Sequence, residues 1–203
     1  ELGSFWDSII GDGTNGTSQM TFSAWGYLDL TAGTDTCTII SMGGSDLIFY
    51  ADTRALWLYT NWGDLNEPDW CYWRTDYEAF ASNTWTHLAV TYDATDATSV
   101  PIFYVNGINT AISDDGGTTP ADPWYGINGE SYIGAYSSSP QGPWVGQLAD
   151  VAVWNSILTA TQIKAIYNVS IAGAEPSEGW SFTVRRSSDV GNQTIHWQSI
   201  APD

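Results

Sequence analysis

The sequence predicts an all-β protein: an antiparallel β-sandwich of the jelly-roll type, with one short helix near its C-terminal end. Three observations carry that expectation. Segments rich in Val, Ile, Thr, Tyr and Trp recur at intervals of roughly ten residues, divided by clusters of Gly, Asp, Asn and Pro. Asn106-Gly107 between two apolar runs marks a two-residue hairpin, because both central residues of a type I′ turn need positive φ. Only one stretch has helical periodicity.

The strands predicted in chain order are Met20–Leu28, Cys37–Gly43, Asp46–Ala51, Ala55–Asn61, Trp73–Phe80, Trp85–Tyr92, Val100–Val105, Tyr132–Ala135 and Gly146–Trp154. In the first, period two puts Met20, Phe22, Ala24 and Gly26 on one face and Thr21, Ser23 and Trp25 on the other. The count alone leaves open which face is core. The helix begins at Thr159-Ala160-Thr161-Gln162, where Thr159 as N-cap and Gln162 three residues on form a capping box. Leu158, Ile163, Ile166 and Tyr167 give it an apolar stripe, and such a helix is expected to plug one end of the sandwich. Two long irregular loops, Ser113–Ser131 and Ser137–Pro143, are of the kind that carries function on a rigid scaffold. Residues 1–170 read as the sandwich and 171–203 as a linker and C-terminal arm, in which Trp180, Phe182 and Val184 alternate and Ile195 and Trp197 form a second apolar pair. The arm is expected to pack on its own domain; docking onto a neighbouring subunit is the alternative.

With 203 residues, the chain can bury a proper core as one domain. Its 12 Trp and 43% hydrophobic content lie far from the profile of a disordered chain. Five Lys and Arg face 23 Asp and Glu, a formal charge of −18, so nucleic-acid phosphates and anionic membrane surfaces would be repelled. No apolar run approaches the roughly 20 residues of a membrane-spanning helix, so membrane insertion is not expected. The acidity fits a salty or extracellular medium, or divalent cation binding.

Four motifs stand in order along the second half. Asn83-Thr84-Trp85-Thr86-His87-Leu88-Ala89-Val90-Thr91-Tyr92-Asp93 leads to Ile102-Phe103-Tyr104-Val105-Asn106-Gly107, then Ser131-Tyr132-Ile133-Gly134-Ala135, then Gly146-Gln147-Leu148-Ala149-Asp150-Val151-Ala152-Val153-Trp154-Asn155 and the helix. This order resembles the laminin G-like branch of the concanavalin A-like lectin/glucanase superfamily over about residues 17–168. The resemblance implies a concanavalin A-like sandwich and leaves function to particular sites.

The glycosidase branch of that superfamily carries a Glu-x-Asp-x-Glu motif, whose strand alternation delivers acid and nucleophile to one face. Here Glu67-Pro68-Asp69 is the one Glu followed two places on by Asp; Cys71 and Tyr72 stand where the second Glu belongs, and Pro68 argues against a central strand. No Gly-x-Ser-x-Gly elbow is present, and the histidines, His87 and His196, stand near no nucleophile in sequence. The chain is therefore read as not an enzyme.

Calcium is the cofactor to consider, since hard oxygen ligands abound. Relatives use an acid at the start of the last long strand, in a pattern resembling Gly-x-Ile-Asp-Asp/Glu-Val; here Ala149 replaces the first acid and Asp150 remains. Asp12, Asp114 and Asp115 are the other candidate ligands, with solvated turn carboxylates as the alternative for each. Cys37 and Cys71, the only cysteines, lie beside segments read as neighbouring strands, so a disulfide is expected, with two small core thiols as the alternative.

Aromatic density from Trp57 to Trp73 offers a surface on which sugar C–H faces can stack. The candidate glycan- or partner-binding residues are Trp62, Trp70 and Trp73 with Asn61, Asp64 and Asn66, and in loops Trp124, Tyr125 and Trp144. Burial of the same rings in a core or a subunit interface is the competing reading. The functional expectation is a non-catalytic recognition module on an extracellular or virion surface, binding glycan or another protein. The alternative is a structural subunit, such as a capsid decoration or appendage protein, that self-assembles through its aromatics and C-terminal arm.

Overall fold

A computed structural model describes residues 19–29, 36–42, 47–61, 70–93, 95, 98–117, 131–136, 142–169, 180–184 and 193–197. Thirteen strands and one helix lie among these: β1 (Gln19–Leu28), β2 (Thr36–Met42), β3 (Leu47–Asp52), β4 (Ala55–Asn61), β5 (Trp70–Thr75), β6 (Trp85–Asp93), β7 (Ile102–Val105), β8 (Ile108–Thr110), β9 (Ile112–Gly117), β10 (Tyr132–Ile133), β11 (Gly146–Trp154), α1 (Ala160–Val169), β12 (Trp180–Val184) and β13 (Gln193–Trp197). One sheet has the order β11-β1-β6-β7-β8 and the other β10-β2-β3-β4-β5-β9, all pairings antiparallel. The sandwich is thus as the sequence predicts.

The core lies between the two sheets. Met20, Phe22, Leu88, Val90, Tyr92, Phe103, Val151 and Val153 from the first meet Ile40, Met42, Phe49, Leu56, Leu58, Cys71 and Trp73 from the second. In β1 both alternating faces are buried, which is why parity alone could not choose between them. Phe22 faces the second sheet, whereas Thr21 serves the outer side: its hydroxyl donates to the Ser156 carbonyl (2.7 Å) and accepts from the Leu158 N–H (3.0 Å). The outer side of this sheet is covered by α1, whose Ile163 is fully buried against Ala89 and Tyr104, with Leu158 alongside. The helix therefore covers a sheet face instead of plugging an end, because its stripe matches the outward-facing residues of β6 and β7.

The capping box forms as predicted. Thr159 N–H donates to Gln162 Oε1 (2.8 Å) and Gln162 N–H to Thr159 Oγ1 (3.3 Å), satisfying donors that a helix start leaves open. Thr159→Ala is expected to lower folding stability by about 1 kcal/mol, read from the urea midpoint.

Two differences from the expected elements have local causes. The predicted strand Trp73–Phe80 is observed as Trp70–Thr75; the chain leaves the sheet after Thr75, and Glu78 takes a left-handed φ of 61°. The predicted loop Ser113–Ser131 begins as strand, since β9 pairs along β5 and covers an edge that would otherwise stand open. The hairpin Asn106-Gly107 forms (φ 52° and 72°), joining β7 to β8.

The expected disulfide is not formed. Cys37 and Cys71 are buried thiols on β2 and β5, with β3 and β4 between them. Three strand spacings amount to about 14 Å, against the roughly 4.4–6.8 Å between Cα atoms that a disulfide spans. Cys71 Sγ instead lies 2.9 Å from Thr60 Oγ1. In the C-terminal arm β12 and β13 pair in a hairpin, and β12 lies alongside β11 of the same chain.

Candidate functional site

The outer face of the six-stranded sheet carries an aromatic array built by strict alternation. In β4, Leu56, Leu58 and Thr60 are buried inward, so Trp57 and Tyr59 point out; in β5, Cys71, Trp73 and Thr75 point in and Trp70, Tyr72 and Arg74 out. Antiparallel register aligns these sets: Tyr50 of β3 opposes Trp57, which opposes Arg74, which opposes Asp114 of β9. One step along, Tyr59 opposes Tyr72.

Neighbouring rings are in contact. Tyr50 stacks on Trp57 at 5.6 Å between centroids, Trp57 meets Tyr72 at 5.2 Å, and Trp70 stacks on Tyr72 at 6.1 Å and on Tyr59 at 6.4 Å. Such cross-strand aromatic pairs contribute roughly 0.2–1 kcal/mol each, so the array helps hold the register that displays it. Trp70, at its margin, is 40% exposed, and the four other rings are partly buried. Gly116 makes room for Tyr72: a Cβ there would stand 2.7 Å from the ring.

Arg74 closes one end of the array. Its guanidinium lies over Trp57 (5.5 Å) and Tyr77 (4.4 Å). Its Nη2 and Nε reach the same Asp114 oxygen at 2.9 and 3.1 Å, while Nη1 donates to the Thr75 carbonyl and Ser113 Oγ, both at 3.3 Å. Burial, reinforced by Asp52, pushes the Tyr50 phenol well above its ordinary range, so its hydroxyl stays protonated as a donor. Trp57 Nε1 has no acceptor among the described residues. The face thus offers flat apolar rings with phenol groups at their rims.

Of the residues the sequence nominated, Trp70 belongs to this face. Asn61 pairs with Trp70 through the backbone of β4, and its side chain, like Trp62, Asp64, Asn66, Trp124 and Tyr125, lies outside the described residues. Two nominations are corrected. Trp73 is core, 3% exposed, with its ring 5.0 Å from Tyr92. Trp144 is also structural: it is buried, its ring rests on Gly26, where a Cβ would approach to 2.6 Å, and its Nε1 donates to the carbonyls of Gln147 (3.0 Å) and Tyr27 (3.2 Å). Tyr50, Trp57, Tyr59, Tyr72 and Arg74 were missed, although the period-two pattern of β4 and β5 would have separated the two faces.

The nominated calcium ligands do not converge. Asp114 is taken by Arg74, and Asp115 falls on the opposite side of β9, where it borders a cleft of about 170 Å³ with Cys71 and Trp73. Asp150 sits on the other sheet with φ 48°, at the irregularity where β11 places one residue too many opposite β1, so it serves a β-bulge. Asp12 lies outside the described residues. Among those described, no three His, Cys, Asp or Glu side chains gather in metal-binding proximity.

The strand carboxylates described on the aromatic side are similarly far apart. Asp52 of β3 and Asp114 of β9 are separated by β4 and β5, about 14 Å by strand spacing; glycosidase pairs stand roughly 5–9.5 Å apart. No helix among the described residues is long and apolar enough to cross a membrane.

Comparison with known proteins agrees with this architecture. A putative carbohydrate-binding protein from Bacteroides ovatus is 24% identical over 73% of this chain and 40% of its own, with a TM-score of 0.50; this chain thus spans well under half of that protein. A carbohydrate-binding module, CBM40, of the Ruminococcus gnavus IT-sialidase is 13% identical over 74% of this chain and 83% of its own, with a TM-score of 0.56. The same module bound to α2,3-sialyllactose gives a TM-score of 0.54 at 14% identity, with the same coverage. At these identities the likeness establishes the fold alone. No curated protein sequence matches. A family model matches residues 8–164, most of the chain, and with the two-sheet architecture it identifies this protein as a member of the concanavalin A-like lectin/glucanases superfamily.

Proposed function

We propose that this chain is a non-catalytic recognition module that binds glycan on the outer aromatic face of its six-stranded sheet. One observation carries the reading: Tyr50, Trp57, Tyr59, Trp70 and Tyr72 project from three adjacent strands onto one side, in mutual contact, while the rings needed for the core point the other way. A folded sheet has no need of five large rings on a face away from its core, and aromatic faces flanked by hydroxyl groups suit the alternating C–H and O–H surfaces of sugars. The separation of the described carboxylates supports binding without cleavage. Structural neighbours that include carbohydrate-binding proteins favour the same class, and an acidic module of this kind suits an extracellular or virion surface. Of the two features behind the assembly alternative, the aromatics and the C-terminal arm, the arm is engaged within the chain, where β12 runs beside β11.

The test is a glycan array followed by calorimetry on the isolated chain. Specific binding is expected, and Trp57→Ala combined with Trp70→Ala should weaken it by at least roughly tenfold, as removal of a central aromatic anchor does, with the far-UV spectrum retained. An array with no specific binding would overturn the proposal.

A further inference from the structure

Resting on the glycan-binding reading, we propose that the aromatic face selects neutral sugars, and that Asp114 sets this selectivity by occupying the Arg74 guanidinium, the group a sugar carboxylate would otherwise use. Arg74 is the cation built into the array, and each of its three nitrogens has a partner within the chain. Two of them converge on a single Asp114 oxygen, in the charge-assisted geometry that a uronate or sialate carboxylate would have to reproduce.

The other described cations are also engaged. Arg54 is paired with Glu78, and Lys164, on α1 over the other sheet, lies above Tyr167 and donates to the Asn106 carbonyl at 3.3 Å. An incoming anion would meet Asp52 and Asp114 on the aromatic side and a chain of formal charge −18, with no uncommitted cation among the described residues. Desolvating a carboxylate without a partner is costly. A neutral ring stacking on Trp57 or Trp70 incurs no such cost, and its hydroxyl groups can bond the phenols at the rim.

Asp114 is thus an internal anion that fills the subsite. An amide at this position leaves the guanidinium without a carboxylate, so Asp114→Asn is expected to raise the ratio of anionic to neutral glycan affinity by roughly tenfold. Asp114→Glu keeps the carboxylate and should hold the parental ratio. The folded chain and both variants are to be tested on an array that carries neutral oligosaccharides (cello-, xylo-, manno- and lacto-series) beside sialylated lactose and oligogalacturonate, with calorimetry of the best binder from each set. Circular dichroism verifies that each variant folds.

Binding confined to the neutral set, with the ratio shifted in Asp114→Asn and kept in Asp114→Glu, supports the inference. Preferred binding of sialylated or uronate glycans by the parent chain overturns it while leaving the glycan reading intact. An unchanged ratio in folded Asp114→Asn overturns the role of Asp114. Failure of every glycan in both sets overturns the glycan reading itself.

Discussion

Trp73→Ala is expected to lower folding stability by about 3–5 kcal/mol, the loss typical of a large aromatic removed from a well-packed core. Trp73 is 3% exposed, faces Leu58 across β4 and β5, and packs on Tyr92 from the opposite sheet. Against a total stability of roughly 5–15 kcal/mol for a domain, that loss brings the chain close to unfolding at 25 °C. Its strand neighbours Trp70 and Tyr72 belong to the other face, and their replacement should act on ligand binding. Urea unfolding with glycan titration separates the two classes. A Trp73→Ala chain that unfolds at the parental midpoint yet no longer binds glycan would put this ring on the ligand face and refute the assignment.

The same contrast shows why the site was only partly legible in the sequence. Aromatic density between Trp57 and Trp73 marks the region in the sequence but, taken as one cluster, merges two faces. In a strand, adjacent residues point to opposite sides, so Trp70 and Tyr72 part from Trp73, and Trp57 and Tyr59 part from Leu56 and Leu58. Splitting by parity would have yielded the platform, with Arg74 marked out as a rare cation on the same face. Trp144 follows Pro143 in an irregular stretch and reads as exposed; what buries it is the missing side chain at Gly26, on a strand far away in sequence. Long-range complementarity of that kind leaves no local pattern.

The fold was more legible because it rests on short-range signals. Period-two runs found the long strands, the Asn106-Gly107 turn found its hairpin, and the capping box located the start of α1. What those signals lack is the order of strands in space. Cys37 and Cys71 are expected beside neighbouring strands, yet the meander β2-β3-β4-β5 keeps its two intervening strands between them in space. Strand β9 escaped notice for a related reason: Asp114, Asp115, Gly116 and Gly117 have low strand propensity, and their pairing is imposed by the exposed edge of β5. Gly117, at φ 91°, is conformationally required there, since a Cβ would fall 2.0 Å from the Trp70 carbonyl oxygen.

His87 provides the second large effect, a loss of stability on mild acidification. Its ring lies beneath α1 on the outer side of the five-stranded sheet, edge-on to Trp25 at 5.5 Å and tilted against Tyr167 at 6.1 Å. Neither ring nitrogen has a hydrogen-bond partner among the described residues. Burial pushes its pKa down to about 4, while in the unfolded chain the imidazole titrates near its ordinary value of about 6.5. Below pH 6.5 the unfolded state therefore takes up a proton that the folded state refuses until about pH 4. Stability is whole above this window and falls as pH drops through it. Between pH 7 and pH 5 the loss should be roughly 2 kcal/mol, in a range where most carboxylates remain ionised. His87→Leu replaces the imidazole with an apolar group under the helix and should abolish most of this dependence, so that its urea midpoint changes little between the two pH values. Parallel losses in parent and variant over that interval would mean that another group carries the transition.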